Sequence, residues 1–116
     1  MRGVLIGLAL LAAQDTTPAQ PNELSKLTGQ LVITGESMTD PAPDQKSDRV
    51  GLFWDGESAK RVYDAMQAKA VDSPCEEGMR QKSAGGLECF SHSDGTYACS
   101  AGIMLATGKT RSVSAC

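Results

Sequence analysis

All four cysteines, Cys75, Cys89, Cys99 and Cys116, stand in the C-terminal part of a chain whose first 13 residues have the layout of an export signal. The two features support each other. An exported chain reaches an oxidising compartment, where an even number of cysteines becomes a disulfide framework. Met1–Arg2 gives a positive start, and Val4–Ala13 (VLIGLALLAA) is continuously apolar. That run is too short to cross a bilayer, which takes about 20 apolar residues. Small residues then meet the polar Gln14-Asp15, as at a cleavage site. Cleavage is expected after Ala13, or after Ala12; a buried N-terminal helix or strand is the alternative. Gln14 stands where a lipid-anchored protein would carry cysteine, so no membrane anchor is expected after processing. The expected location is the periplasm or the outside of the cell.

A mature chain of this size is one domain with a limited core. One Trp, two Tyr and two Phe limit the core further. Disulfides of roughly 2–4 kcal/mol each would then be a large share of the net stability. The formal net charge is −3, from 11 basic and 14 acidic residues, and the charges are dispersed. With no basic cluster to neutralise phosphates, neither nucleic acid nor an anionic membrane surface is an expected partner.

Along the chain, residues 14–26 (QDTTPAQPNELSK) read as a disordered lead and 27–116 as a single small domain. Gln30–Thr34, between Gly29 and Gly35, reads as a short strand. Residues 39–49, with Pro41 and Pro43, read as a loop. Val50–Trp54 is the most apolar short run past the leader. Glu57–Val71 carries Ala59, Val62, Tyr63, Met66 and Ala70 on one helical stripe. Asp55 is placed to cap this helix, Trp54 to staple it onto Ala59, and Glu57 to pair with Arg61. Residues 75–86 read as a polar loop. Leu87–Ser91 and Thr96–Leu105 then flank Ser93-Asp94-Gly95, a hairpin signal that sets Cys89 opposite Cys99. Leu87, Cys89, Tyr97, Cys99, Ala101, Ile103 and Leu105 fall on the expected core face. The fold class is therefore α+β: one helix packed on a small antiparallel sheet with a C-terminal hairpin, stapled by two disulfides.

Four cysteines allow three pairings. Cys75–Cys89 with Cys99–Cys116 is the expected one, because it restrains the loop after the helix and the C-terminal tail. Cys89–Cys99 with Cys75–Cys116, and Cys75–Cys99 with Cys89–Cys116, remain open. The spacings of 14, 10 and 17 residues lack the close pairs of a zinc site or a redox C-x-x-C, so no metal or cofactor is expected.

His92 is the single histidine and lies at the hairpin tip, Ser91-His92-Ser93-Asp94-Gly95. Ser, His and Asp adjacent in an extended chain point to opposite faces, whereas a catalytic triad is assembled from distant segments. Gly108-Lys109-Thr110 lacks the upstream glycine and following helix of a phosphate loop. Glu76-Glu77 and Asp44/Asp48 lack the facing cleft of a glycosidase and the spacing of a calcium loop. No catalytic residue is assigned, and the chain is not expected to be an enzyme. The expectation is a binding module for another extracytoplasmic protein, including inhibition or scaffolding of a secreted or envelope protein. The expected contact residues are His92, Ser93, Asp94, Gly95 and Thr96, with Trp54 second. A structural envelope protein without a discrete site, and a small secreted hydrolase, are the alternatives.

Overall fold

The computed structural model describes residues 22–35 and 47–113. The expected signal at 1–13, the lead as far as Pro21, the two prolines of the 39–49 loop and Cys116 lie outside these residues. The chain order is β1 (Gly29–Thr34), β2 (Arg49–Asp55), helix α1 (Gly56–Ala65), β3 (Val71–Asp72), β4 (Arg80–Ala84), β5 (Leu87–Ser91), β6 (Tyr97–Met104) and β7 (Thr110–Arg111). The strands form one antiparallel sheet in the order β1-β2-β6-β5-β4-β3, with β7 also pairing β6. One helix on an antiparallel sheet is the α+β class the sequence predicts.

Register explains where the helix sits. Trp54 pairs with Cys99, Cys99 with Cys89, and Cys89 with Lys82. Partners in antiparallel strands share a face. This row runs beneath α1, which packs on β2, β5 and β6. Ala59, Cys89 and Cys99 are the buried centre, and Trp54, Val62, Tyr63, Met66, Leu87 and Tyr97 pack around it. The expected helical stripe is therefore the core stripe as far as Met66. Cys99 Sγ lies 3.5 Å from the carbonyl oxygen of Ala59. The helix backbone thus touches the disulfide directly, and a side chain longer than the Ala59 methyl would lift the helix.

Cys89 and Cys99 are bonded to each other. This corrects the expected Cys75–Cys89 and Cys99–Cys116 pairing. The two cysteines are directly opposed on adjacent strands with side chains on one face. Cys75 lies in an exposed segment after β3. One disulfide is defined within the described residues, against two expected. Cys75 is disulfide-bonded too, through a bond that lies outside them.

The helix is shorter than the stripe implies. It stops at Ala65, and Met66 turns to extended geometry. No basic residue occupies its last turn. Lys82 supplies that charge from β4: its Nζ donates to the carbonyls of Tyr63 (2.9 Å) and Met66 (3.1 Å) and sits 4.5 Å from the Tyr63 ring centroid. A cation there satisfies orphan carbonyls and opposes the helix dipole. At the other end Asp55 holds the N-cap position but makes no side-chain cap bond. Arg61 bonds Ser25 and the Glu23 carbonyl rather than Glu57, and the helix-surface ion pair is Lys60–Asp64 at 2.6 Å.

Residues 75–86 are not a simple loop. Arg80–Ala84 is β4, joined to β5 through Gly85-Gly86, with Gly85 at positive φ. Gly102 is required by close approach. A Cβ there would run into the Arg111 carbonyl and Val113, displacing β7. On this opposite face Val113 is buried and also reaches the space above Gly51.

Two measurements check this packing. Replacing both Cys89→Ala and Cys99→Ala is expected to lower the unfolding free energy by about 3 kcal/mol in denaturant titration, the loss of a short closed loop. Lys82→Met should cost about 1–2 kcal/mol, because the two carbonyls lose a charged donor.

Candidate functional site

The hairpin between β5 and β6 closes with three residues, Ser93-Asp94-Gly95, as its turn chemistry predicts. His92 N–H donates to the Thr96 carbonyl (2.8 Å), and Gly95 N–H donates to the His92 carbonyl (3.0 Å). Gly95 has φ of 90°, in the region where a side chain is strained. Asp94 Oδ1 accepts from both the Thr96 backbone N–H (3.0 Å) and the Thr96 hydroxyl (2.7 Å). These two hydrogen bonds from Thr96 hold the Asp94 carboxyl below the usual carboxylate range. His92, Asp94, Gly95 and Thr96 are therefore tied to one another, while Ser93, Asp94, Gly95 and Thr96 stay exposed.

The tip does not stand alone. Asp55 pairs with Ala98, so the end of β2 and the start of α1 lie beside the start of β6. Between them opens a cleft of about 590 Å³. Asp55, Glu57 and Lys60 form one wall; His92, Thr96 and Tyr97 form the other. Lys60 Nζ lies 5.7 Å from the Tyr97 ring centroid, and the neighbouring Asp64 carboxylate raises the Lys60 pKa. Tyr97 meets Tyr63 edge to face at 5.3 Å. The cleft thus has one wall with an aromatic ring braced by Tyr63 and one wall carrying charges of both signs.

His92 is half-buried, with its Nδ1 3.9 Å from Glu76 Oε2, an ion pair only when the imidazole is protonated. Glu76 comes from the segment before β4, which also brings Gly78 close to Ser93. Trp54 lies at the same end of the sheet as the tip, opposite Cys99. Its ring packs against the buried centre, and its indole N–H is buried without a partner among the described residues. The structure thus brings His92–Thr96 together as one surface and leaves Trp54 outside it, packed on the buried centre. Asp55, Glu57, Lys60 and Tyr97 are the residues that sequence reasoning missed. The Asp55-Gly56-Glu57 start of the helix was readable, but its meeting with the hairpin depends on β2 pairing with β6.

Among the described residues no three His, Cys, Asp or Glu side chains gather as a metal site. No helix there is long and apolar enough to cross a membrane. No protein-family model matches the chain, and neither does any curated protein or solved structure.

The lowered Asp94 pKa gives a signed prediction. A carboxyl whose folded value is depressed contributes order above its unfolded pKa and loses it as pH falls through the folded value. The midpoint of the Thr96 amide shift with pH should therefore lie below the ordinary 3.8. An NMR titration checks this; a midpoint at or above 3.8 would contradict the tip geometry.

Proposed function

We infer that the chain is an exported, disulfide-stapled binding module whose partner is another extracytoplasmic protein, contacted through the His92–Thr96 tip and the adjoining cleft. The observation that carries this reading is the tip itself. It is exposed, yet held by four hydrogen bonds of its own. A surface ordered before contact loses little conformational entropy on binding. The cleft beside it offers a recess for one partner side chain, with Tyr97 on one wall and Asp55, Glu57 and Lys60 on the other. Inhibition or scaffolding of a secreted or envelope protein fits such a protruding, rigid contact.

Export is supported by the N-terminal layout of the sequence and by the Cys89–Cys99 bond, which persists in oxidising compartments. We assign the remaining bond of Cys75 to Cys116, the one pairing left once Cys89 and Cys99 are joined. It would tie the segment carrying Glu76 to the C-terminal tail.

One observation favours the hydrolase alternative: His92 beside a carboxylate at the edge of a cleft. A general base needs a nucleophile within hydrogen-bond reach. Among the described residues no hydroxyl hydrogen-bonds the imidazole, so the binding reading is the stronger one.

The test replaces the tip with His92→Ser, Asp94→Gly and Thr96→Ser together. Circular dichroism and the Cys89–Cys99 bond should be unchanged, because no tip side chain belongs to the buried centre. Capture of a discrete exported partner by the immobilised chain should be lost. Unchanged capture by the folded variant would sink this assignment.

A further inference from the structure

The chain has a single histidine, and it stands in the tip. Imidazole is the side chain whose charge ordinarily changes in mildly acidic medium. The backbone of His92 is fixed, since its N–H donates to the Thr96 carbonyl and its carbonyl accepts from the Gly95 N–H. Its ring reaches outward to a second segment, with Nδ1 3.9 Å from Glu76 Oε2. That separation is about 1 Å beyond a charge-assisted hydrogen bond. The two groups therefore attract through charge, and only when the imidazole is protonated.

Glu76 belongs to a turn with its own order. Ser73 N–H donates to the Met79 carbonyl (2.8 Å), and Met79 N–H donates to the Glu76 carbonyl (3.3 Å). Cys75 N–H donates to Ser73 Oγ (3.2 Å). Ser73 and Met79 are buried, and Cys75 is disulfide-bonded. Gly78, at a φ of 78°, brings the turn against Ser93. Turn and tip are thus each held internally and lie side by side, and the His92–Glu76 pair spans them.

We propose that His92 is an acid-operated latch, whose protonated imidazole closes onto Glu76 and holds the hairpin tip against the 73–79 turn. The sign follows from the chemistry of such a pair. A glutamate ordinarily stays charged down to about pH 4.3 and an imidazole gains its charge near about pH 6.5. The pair is complete between the two and is lost as pH rises. The surroundings admit the imidazolium. Glu77 follows Glu76 in the turn, Asp94 lies in the tip, and Asp55 and Glu57 stand across the cleft. The nearby cations have carboxylates of their own: Lys60 pairs with Asp64, and Arg80 of β4 pairs with Asp72, both at 2.6 Å. Asp94 already accepts two hydrogen bonds from Thr96, which leaves Glu76 the carboxylate freer to close. The two side chains are 29% and 59% exposed, so water weakens the pair and the closed population changes by up to about fivefold. His92 also forms part of one cleft wall, so closure reshapes that wall in acid. The consequence for partner contact rests on the binding reading; the latch itself does not.

An NMR titration of the purified full chain alone, from about pH 8 to about pH 5, tests the proposal. The amides of Glu76, Glu77 and Gly78 should move with the same midpoint as the His92 ring signals. In Glu76→Gln the tip amides should still follow the ring, and the turn amides should not. In His92→Gln neither set should move over this range. Nuclear Overhauser contacts between the imidazole and the Glu76 methylenes should strengthen by up to about fivefold on acidification, a readout on the unmodified chain that does not depend on either variant folding. Turn amides that ignore the imidazole, turn amides that still follow it in Glu76→Gln, or ring contacts that do not strengthen in acid would each overturn the latch. No partner takes part in this experiment, so its outcome is separate from that of the capture test.

Discussion

The packing of Ala59 on the Cys89–Cys99 bond is the interaction on which the rest of this structure depends. The buried apolar set among the described residues is small: Ala59, Met79, Cys89, Cys99 and Val113. Cys89 is the largest wholly buried side chain. In a larger domain that place belongs to leucine or phenylalanine, and area alone supplies the stability. Here a covalent link stands at the centre, and the helix reaches it because position 59 is alanine. The half-buried ring of Trp54, Val62, Tyr63, Met66, Leu87 and Tyr97 then shields the link from water.

That arrangement passes order outward to the tip. The disulfide joins β5 and β6 two residues before Ser91 and two after Tyr97, where the hairpin leaves the sheet. Tyr97 is anchored against Tyr63 of the helix, and the helix is held at its C-terminal end by Lys82. The tip closes with its own Asp94–Thr96 and His92–Thr96 bonds. Scaffold and tip are thus separable in chemistry, buried sulfur and carbon below and exposed polar groups above, which lets the tip vary without loss of the fold. The cleft sits at their junction, where the start of α1 meets the start of β6.

Much of the fold was legible. The hairpin, its three-residue turn and the Cys89–Cys99 register followed from Asp94-Gly95 and two-residue alternation. The helical stripe followed from Ala59, Val62, Tyr63 and Met66. The remainder depended on contacts between distant segments. Arg80–Ala84 (RQKSA) has no apolar alternation, and it is a strand because Gly85-Gly86 folds it onto β5. The helix end at Ala65 is set by Lys82, seventeen positions along, which no local pattern reveals. The disulfide pairing was open in sequence, and the direct opposition of Cys89 and Cys99 on adjacent strands, not restraint of the tail, decides it. The tip residues of the candidate site were legible for the same reason as the hairpin. The opposite wall of the cleft, Asp55, Glu57 and Lys60, was not, because β2 and β6 are about forty residues apart in a sheet whose order sequence pattern does not specify.

The most direct test of this account is native-state hydrogen exchange at Thr96 and across α1, before and after the Cys89–Cys99 bond is reduced. If the disulfide is the common support, helix and tip amides lose protection together on reduction, while β1 and β2 amides change less. Helix protection that survives reduction, or a tip that stays ordered while the helix melts, would contradict it.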